Sequence, residues 1–200
     1  MDITLDWITP DCEGQIEKKG RYCYDSTPGE LYVKGNMIKS LIKNGHTSVL
    51  EHACASFTID GMSRACSHQL VRHRLASYSQ RSQRYVSEAQ FEYVVPPSIK
   101  ALGEKEELTY IEQMMQIQNM YNYWKQLGIK GEDARFTLPN ACQTKIGMTT
   151  NFREWRSIFE LRCTKHAQWE IRQMCLTILG MLYYHAPNVF GDLYNKFDKE

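Results

Sequence analysis

Acidic residues are missing from one long stretch of this sequence. The 200 residues carry 24 Lys and Arg against 23 Asp and Glu, a formal net charge of +1, yet residues 61–87 contain neither Asp nor Glu. A local field this positive in a near-neutral protein indicates an anionic ligand bound at one place. The small net charge itself argues against a protein that coats nucleic acid or membranes non-specifically.

Long apolar runs and paired cysteines are missing as well. No basic segment followed by an apolar one opens the sequence, and no apolar run approaches the length of a membrane span. The seven Cys form no C-x-x-C pair, which argues against a disulfide framework or a zinc knuckle and favours free thiols. We therefore expect a globular protein of the cytoplasm without a membrane partner.

Several nucleotide-binding and hydrolase motifs are absent too. The sequence has no G-x-G-x-x-G, no G-x-x-x-x-G-K-[ST] and no G-x-S-x-G. A dinucleotide Rossmann unit, a P-loop and a hydrolase nucleophile elbow are therefore not indicated. A nucleotide-type ligand would have to be held by arginine and hydroxyl side chains.

The sequence does have a concentration of arginine and serine in residues 69–85, QLVRHRLASYSQRSQRY. Guanidinium groups bind phosphate oxygens in a bidentate manner, and serine hydroxyls add neutral donors beside them. Helical surfaces of this composition usually carry Glu three or four residues away, and none occurs here. The stretch is interpreted as a phosphate site, and the alternative is an ordinary solvated face.

Hydrophobic periodicity and capping residues predict a chain of mixed helices and strands. Asn44-Gly45 should end a helix, and Ser63 and Asn151 should begin helices as N-caps. An irregular loop is expected after residue 74, where helical spacing stops. The predicted elements are strands over residues 2–8 and 53–59, a turn at Asp60-Gly61, and helices over residues 30–43, 63–73, 99–127, 132–139 and 171–184, with a further helix from Asn151.

Two of the predicted helices carry apolar residues at helical spacing. In the helix over residues 99–127 they indicate a core or a subunit interface rather than a cofactor site, and in the helix from Asn151 they indicate a buried segment. The first stripe comprises Leu108, Ile111, Met115, Gln118, Tyr121, Trp124 and Leu127, and the second set comprises Phe152, Trp155, Phe159 and Leu161.

Residues 46–52, HTSVLEH, contain two histidines and a glutamate and allow three interpretations. A metal site is disfavoured because the spacing of six places His46 and His52 on different faces of a helix, and no H-E-x-x-H follows. A capping and hydrogen-bonding turn is the second interpretation. Ligand binding is the third.

Four motifs together resemble the flavin-dependent thymidylate synthases, and they extend from about residue 45 to residue 170. The longest is Arg72-His73-Arg74, followed after seven residues by Ser82-x-Arg84. The others are GHTSVLEH at residues 45–52, ARFTLP at residues 134–139 and LRCTKHAQWE at residues 161–170. This resemblance implies an α+β fold, with residues 1–200 forming a single domain in which a mixed or antiparallel sheet is flanked by long helices.

The resemblance also implies an activity and its cofactors. Members of the family convert dUMP to dTMP with methylenetetrahydrofolate as the one-carbon donor, and NADPH reduces their FAD. They use no enzymic cysteine nucleophile, which suits the surroundings of Cys142, where no His or acid signature occurs. The family is homotetrameric, with FAD sites built from more than one subunit.

Site residues follow from the matching motif positions. Arg162 is the expected catalytic residue, and it would also bind substrate: its guanidinium stays protonated and would stabilise negative charge that develops on the pyrimidine. The other residues implied for dUMP are Gln69, Arg72, Gln80, Arg81, Ser82, Gln83, Arg84 and Arg135. The residues implied for the flavin and its folate-facing loop are His46, Ser48, Glu51, Arg72, His73, Arg74, Gln80, Asn151, Arg153 and His166.

The sequence departs from the family pattern at two positions. Gln80 stands where many members have an acidic residue, and an amide cannot serve as a general base. Ser157 stands where some members carry an Asn to the flavin.

Two other classes of function compete: a nucleic-acid-binding module with Tyr78 and Tyr85 as stacking platforms, and a phosphoester hydrolase with a metal held by His46, Glu51 and His52.

Overall fold

Four β-strands form one sheet in this computed structural model, which describes residues 1–27 and 35–197. In chain order they are β1 (Asp2–Ile8), β2 (Cys54–Ser63), β3 (Ala76–Gln80) and β4 (Gln143–Asn151). Their order across the sheet is β1-β2-β4-β3, so β4 lies between two strands that precede it in the sequence. The predicted α+β class with an antiparallel sheet is confirmed.

Hydrogen bonds between β3 and β4 show their antiparallel direction. Near the start of β3, the carbonyl of Leu75 accepts a hydrogen bond from Thr150 Oγ1 at 2.6 Å. Just past the end of β3, the N–H of Arg81 donates to the carbonyl of Lys145 at 2.9 Å. The partner's number falls as the residue number rises, so the two strands point in opposite directions.

Helices supply most of the remaining structure. They are α1 (Cys12–Tyr22), α2 (Asn36–Lys43), α3 (Arg64–Leu70), α4 (Pro97–Lys100), α5 (Glu104–Gln126), α6 (Gly131–Ala134), α7 (Phe152–Arg162), α8 (Trp169–His185) and α9 (Pro187–Phe197), with 3-10 turns at Thr47–His52 and Arg135–Thr137. No helix within the described ranges is both long enough and apolar enough to cross a membrane.

Contacts within the chain divide it into two compact units. Unit 1 comprises Met1–Asp2, Ile59–Leu70 and Ser79–Ile146, and unit 2 comprises Ile3–Thr58, Val71–Tyr78 and Gly147–Glu200. The interpretation of residues 1–200 as one domain stays a prediction.

Helix α5 packs into the core of unit 1 through a face other than the predicted stripe. Met114 lies in a buried cluster with Phe91 and Cys142, and Tyr110 and Ile117 of the same helix pack against that cluster. These three α5 residues lie four and three positions apart, as one face of a helix requires. The core of unit 1 therefore meets a face rotated by about one residue from the expected one.

Most of the predicted stripe is exposed. Tyr121 is its one fully buried member, whereas Met115 is 56% exposed and Trp124 is 41% exposed. Leu108 and Leu127 are exposed as well. The prediction of a core position is wrong for these four residues, and the alternative of a subunit interface stays a prediction.

Aromatic side chains of α7 form the centre of the unit 2 core. The ring of Trp155 lies 5.3 Å from that of Phe57, edge to face, and 5.7 Å from that of Phe159, in a stacked arrangement. Phe159 in turn meets Phe190 of α9 at 5.9 Å. Leu161 was expected to be buried but is 57% exposed, because two residues turn a helix by about 200° away from Phe159.

Capping residues predict several helix boundaries correctly. Ser63 Oγ accepts a hydrogen bond from the N–H of Cys66 at 3.0 Å, and Asn151 Oδ1 accepts one from the N–H of Glu154 at 2.9 Å. Both residues therefore act as N-caps. Helix α2 ends as predicted, with Gly45 just beyond it at a φ of +75° that glycine adopts without strain. The predicted start of this helix, at residue 30, lies outside the described residues.

Several other predicted boundaries are wrong. The turn expected at Asp60-Gly61 does not interrupt β2, which continues to Ser63. Helix α3 ends at Leu70 instead of residue 73, and residues 76–80 form a strand instead of an irregular loop. The side chains of that strand alternate between half-buried and exposed, but their polar composition hides the alternation in the sequence.

Glycine and proline account for further differences from the predicted helices. Gly103, at a φ of +117°, separates α4 from α5, so the long helix starts later than residue 99. The helix expected over residues 132–139 is replaced by α6 and a 3-10 turn, and α8 starts two residues before the predicted position. Pro187 begins α9 rather than only ending α8, because proline is well suited to the first turn of a helix.

Strand β4 is the principal element that the sequence patterns do not predict. Alternate side chains along it are buried, including Ile146 and Met148. Two of the other inward positions are Thr144 and Thr150, whose polar side chains weaken the apolar alternation on which strand prediction depends.

Candidate functional site

The arginine and serine stretch of residues 69–85 is divided between the two units. Residues 69–70 and 79–85 belong to unit 1, and residues 71–78 belong to unit 2. Each part has its own surroundings, so the residues expected to bind one ligand are described in two groups.

A cavity of about 320 Å³ in unit 1 brings together several basic and polar side chains. Arg64 and His68, which lie four residues apart on α3, line it with Gln83 and Arg135. The remaining lining residues of this described cavity are Phe136, Leu138, Pro139 and Asn140, so none is acidic. Two of the predicted substrate residues, Gln83 and Arg135, therefore share a cavity with two residues that the sequence does not indicate.

The two arginines of this cavity repel each other electrostatically. The pKa of Arg64 is lowered by burial and, second, by the charge of Arg135. A guanidinium nevertheless stays protonated in a protein, so the cavity keeps both positive charges. Arg135 is also oriented by the hydrogen bond from its Nε–H to the carbonyl of Glu132 at 3.1 Å. The cavity has the charge and the donors to bind a small anion such as a phosphate group.

A buried carboxylate lies close to these cations. Glu88 is 2% exposed, and its Oε2 lies 3.5 Å from Nη2 of Arg81. Burial raises the pKa of Glu88, and the charges of Arg81 and Arg64 oppose that rise. The N–H of Glu88 donates to the hydroxyl of Tyr121 at 3.4 Å, which ties this segment to α5.

Gln80 is held by hydrogen bonds of its own unit. Its Nε2 donates to Ser67 Oγ at 2.9 Å and to Thr144 Oγ1 at 3.3 Å. Its amide therefore links β3 to α3 and to β4 within unit 1. An ionised acid at this position could not donate these two hydrogen bonds. Gln80 therefore has a structural role in unit 1 that does not depend on a bound ligand.

The segment after Gln80 turns on itself near α6. The N–H of Arg84 donates to Ser82 Oγ at 3.2 Å, and Arg84 Nη2 pairs with Glu132 Oε2 at 3.1 Å. Gly131 lets the backbone come close, since a Cβ there would lie 3.1 Å from the carbonyl oxygen of Arg84. The guanidinium of Arg84 lies over the ring of Tyr85, which is 82% exposed.

In unit 2, the expected catalytic residue lies next to a member of the first motif. Arg162 is the last residue of α7, and its Nε–H donates to His73 Nε2 at 3.1 Å. The other ring nitrogen of His73, Nδ1, lies 3.7 Å from Glu154 Oε1 in the first turn of α7. The motif at residues 72–74 and the motif at residues 161–170 thus meet within one unit. Glu154 joins the cluster that they form.

The histidine of this cluster is neutral. Burial and the charge of Arg162 lower the pKa of His73. Because its Nε2 accepts a hydrogen bond, the ring proton must be on Nδ1.

The hydroxyl of Tyr78 donates to the backbone carbonyl of His73 at 2.9 Å, and burial raises the pKa of that hydroxyl. Tyr78 is therefore half-buried and bonded, unlike an exposed stacking platform.

The predicted flavin-facing residues other than Gln80 lie in unit 2. Arg153 Nη1 pairs with Glu51 Oε1 at 2.6 Å on the exposed surface, and Tyr24 hydroxyl lies 3.1 Å from His46 Nδ1. Asn151 is the N-cap of α7. Arg72, Arg74, Ser48 and His166 are all exposed. Ser157 donates its hydroxyl to the carbonyl of Arg153.

Neither the metal interpretation nor a reactive cysteine gains support from these contacts. Glu51 is engaged by Arg153, and within the described residues no group of three or more His, Cys, Asp or Glu could hold a metal ion. None of the seven cysteines, all within the described ranges, forms a disulfide bond. Cys142 is fully buried, and burial raises the pKa of its thiol to about 12, so it is a poor nucleophile at neutral pH.

Comparisons with known proteins identify the family. The family model described as "Thymidylate synthase complementing protein" matches residues 5–188. A flavin-dependent thymidylate synthase of Geobacter sulfurreducens is 44% identical over 201 residues, covering 96% of this chain and 86% of that protein. The chain belongs to the flavin-dependent thymidylate synthases. Similar proteins carrying that name include those of Clostridium tetani, 37% identical over 213 residues with coverage of 95% and 85%, and Mycobacteroides abscessus, 36% identical over 208 residues with coverage of 94% and 83%.

Membership in the flavin-dependent thymidylate synthases confirms the family suggested by the four motifs, and the nucleic-acid-binding alternative has no support. The sequence interpretation missed Arg64, His68, Glu88 and Glu154. The first two could have been found from the Ser63 cap, because a helix starting there places Arg64 and His68 on one face. The burial of the two glutamates has no signal in the sequence.

Proposed function

We propose that this protein converts dUMP to dTMP, with methylenetetrahydrofolate as the one-carbon donor and NADPH as the reductant of bound FAD. The observation that carries the proposal is the unit 1 cavity, in which Arg64 and Arg135 lie without an acidic neighbour in the lining. A nucleoside monophosphate would supply the missing negative charge. Membership in the family makes dUMP the expected nucleotide.

In unit 1, the proposed role is to bind the phosphate of dUMP. Arg135 and Gln83 line the cavity, and Arg84 and Ser82 lie in the adjoining turn. Arg81 is also proposed to bind dUMP, and its guanidinium is positioned by its contact with Glu88. Gln69 and Gln80 complete the proposed set in unit 1. Arg72 and Arg162 are further residues proposed for dUMP, Arg162 at its pyrimidine ring.

In unit 2, the exposed cations fit a flavin dinucleotide. Arg72 and Arg74 are exposed beside the half-buried His73, and guanidinium groups match the diphosphate of FAD. When bound, the flavin supplies the reducing equivalents of the reaction. The further unit 2 residues proposed to hold it or to face the folate are His46, Ser48, Glu51, Asn151, Arg153 and His166. Gln80 is also one of the residues proposed for the flavin.

Arg162 has the proposed catalytic role. Its guanidinium cannot act as a base, and it would stabilise negative charge that develops on the pyrimidine ring when the ring loses an N–H proton. The hydrogen bond to neutral His73 orients the guanidinium without cancelling its charge. No cysteine acts as a nucleophile in this proposal, in agreement with the high pKa of Cys142.

Assembly into a homotetramer, with sites shared between subunits, is part of the proposal. Helix α5 carries exposed apolar side chains on the face away from the unit 1 core, including Leu108 and Met115. Such a face is suited to burial against another subunit. A cytoplasmic location stays a prediction.

An absorbance titration tests the proposed function directly. Purified protein should bind added FAD, its flavin bands should shift on adding dUMP, and dTMP should form when methylenetetrahydrofolate and NADPH are present. A protein that binds no flavin, or one that binds flavin and dUMP but forms no dTMP, would contradict the proposal.

A further inference from the structure

Glu154 is a buried acid in unit 2 to which the proposed reaction gives no role. It is 9% exposed and lies in the first turn of α7, where its N–H is fixed by the Asn151 cap. Its carboxylate lies 3.7 Å from Nδ1 of His73. A carboxylate this deeply buried is costly unless it serves a partner, and the partner here is the histidine that contacts Arg162.

Glu154 and Arg162 occupy opposite ends of the same helix. They are eight residues apart, which corresponds to about 12 Å along the axis. His73 comes from a distant segment, 89 positions before Arg162, and its two ring nitrogens face the two α7 side chains. The imidazole therefore links the acid at the start of α7 with the arginine at its end.

The direction of the hydrogen bond between Arg162 and His73 determines which ring nitrogen of His73 carries the proton. Arg162 can only donate, so Nε2 of His73 must be unprotonated and Nδ1 must carry the ring proton. The ionised form of Glu154 favours that proton on the nitrogen facing it, whereas a protonated carboxyl could donate to Nδ1 and favour the other tautomer. The arrangement requires His73 to be a neutral ring with its proton on Nδ1, the nitrogen that faces an oxygen of Glu154.

We propose that Glu154 is a positioning residue that holds the proton of His73 on Nδ1, so that Nε2 accepts from the Nε–H of Arg162 and fixes the plane of its guanidinium. The effect on catalysis rests on the proposed role of Arg162, but the effect on the tautomer does not. The principle is the one by which a buried acid orients a histidine in catalytic triads, applied here to orient an arginine.

Two substitutions distinguish the effect of an acceptor oxygen at position 154 from the effect of its negative charge. Glu154→Leu keeps a side chain of similar size and removes the acceptor, while Glu154→Gln keeps a neutral acceptor oxygen. Glu160→Gln is the matched control, because Glu160 is an exposed acid on the same helix. Nitrogen NMR of histidine-labelled protein reads the tautomer, and loss of one signal in His73→Asn assigns the His73 resonances.

Wild-type protein should show His73 protonated on Nδ1. In Glu154→Leu a substantial share of the ring should become protonated on Nε2, with a smaller change in Glu154→Gln and none in Glu160→Gln. The kcat for dTMP formation should fall by up to about 100-fold in Glu154→Leu, as expected when a catalytic group is misplaced by about 1 Å. The KM for dUMP should stay nearly unchanged, because binding of the phosphate does not depend on this cluster.

Two results would overturn the proposal: an Nε2-protonated His73 in the wild-type protein, or an unchanged tautomer in Glu154→Leu. If Glu154→Leu does not fold, the wild-type tautomer and the Glu154→Gln variant still decide the question. A wild-type protein that forms no dTMP but shows the Nδ1 tautomer, lost in Glu154→Leu, would contradict the proposed function while leaving the positioning role intact.

Discussion

Arginine side chains have opposite surroundings in the two units. In unit 1, Arg64 and Arg135 line a cavity together, and the pKa of Arg64 is lowered by burial and, second, by the charge of Arg135. In unit 2, Arg162 donates to a neutral imidazole that orients it. The first arrangement leaves repulsion that an anionic ligand would relieve, whereas the second directs one charge without neutralising it. In the proposed function, binding and catalysis thus require different partners for the arginine side chain.

The buried acids of the two units differ in a corresponding way. Glu88 in unit 1 lies near two guanidinium groups, whose charges oppose the rise in its pKa caused by burial. Glu154 in unit 2 lies near a histidine, and burial raises its pKa as well. Glu88 therefore moderates a cluster of cations, while Glu154 lies beside a ring that the proposed positioning role requires to be neutral. Four substitutions test this contrast, from the largest expected effect to the smallest.

Replacing Arg162 should have the largest effect on turnover. In Arg162→Ala we expect dTMP formation to fall about 1000-fold, the scale associated with losing one group that stabilises transition-state charge. Flavin content, read from the absorbance of purified protein, should be unchanged. Arg162→Lys keeps the charge but loses the planar donor set, so it should recover only part of the rate. Unchanged turnover in Arg162→Ala would remove the catalytic role.

Replacing Arg135 should separate binding from turnover. In Arg135→Ala the Kd for dUMP, measured by calorimetry, should rise by about 10-fold to 100-fold, which corresponds to about 1.5–3 kcal/mol for a hydrogen bond to a charged group. FAD affinity should not change, because the cavity lies within unit 1. Equal losses of dUMP and FAD affinity would mean that the contrast between the units is wrong.

Replacing Arg84 should have a smaller effect of the same kind. Arg84 is already paired with Glu132 on the exposed surface, so part of its charge is compensated before a ligand binds. In Arg84→Ala we expect dUMP affinity to fall by about tenfold, more than FAD affinity. Glu132→Gln is the control that removes the ion pair and keeps the arginine, and it should bind dUMP at least as tightly as the wild type.

Replacing His73 should have the smallest of the four effects, a change in how the free energy of unfolding depends on pH. The lowered pKa of His73 means that the unfolded chain binds more protons as the pH falls below about 6.5, so acid weakens the folded state. Between neutral and mildly acidic pH, the wild type should lose up to about 1 kcal/mol of its free energy of unfolding through His73. The His73→Asn variant should not show this part of the loss. Urea unfolding on both sides of that range measures it, and an identical pH dependence in variant and wild type would contradict the assignment.

The sequence predicted the structure best where the signal was local. Ser63 and Asn151 act as caps as expected, because a cap depends on residues within one turn. Strand β4 was not predicted, since two of its inward positions hold threonine. The α5 stripe was predicted to lie in a core or a subunit interface, and the core of unit 1 meets another face of the helix. Apolar residues occur around much of α5, so only the packing partner decides which of them are buried.

The sequence by itself determined the family and the types of residue available for binding, because the motifs are continuous runs of residues. The tertiary structure decided which of those residues act together. It divides residues 69–85 between two units, adds Arg64 and His68 to the cavity of Arg135, and links His73 to Arg162 across 89 positions. Such contacts depend on the order of strands and the packing of helices, which bring together residues far apart in the chain.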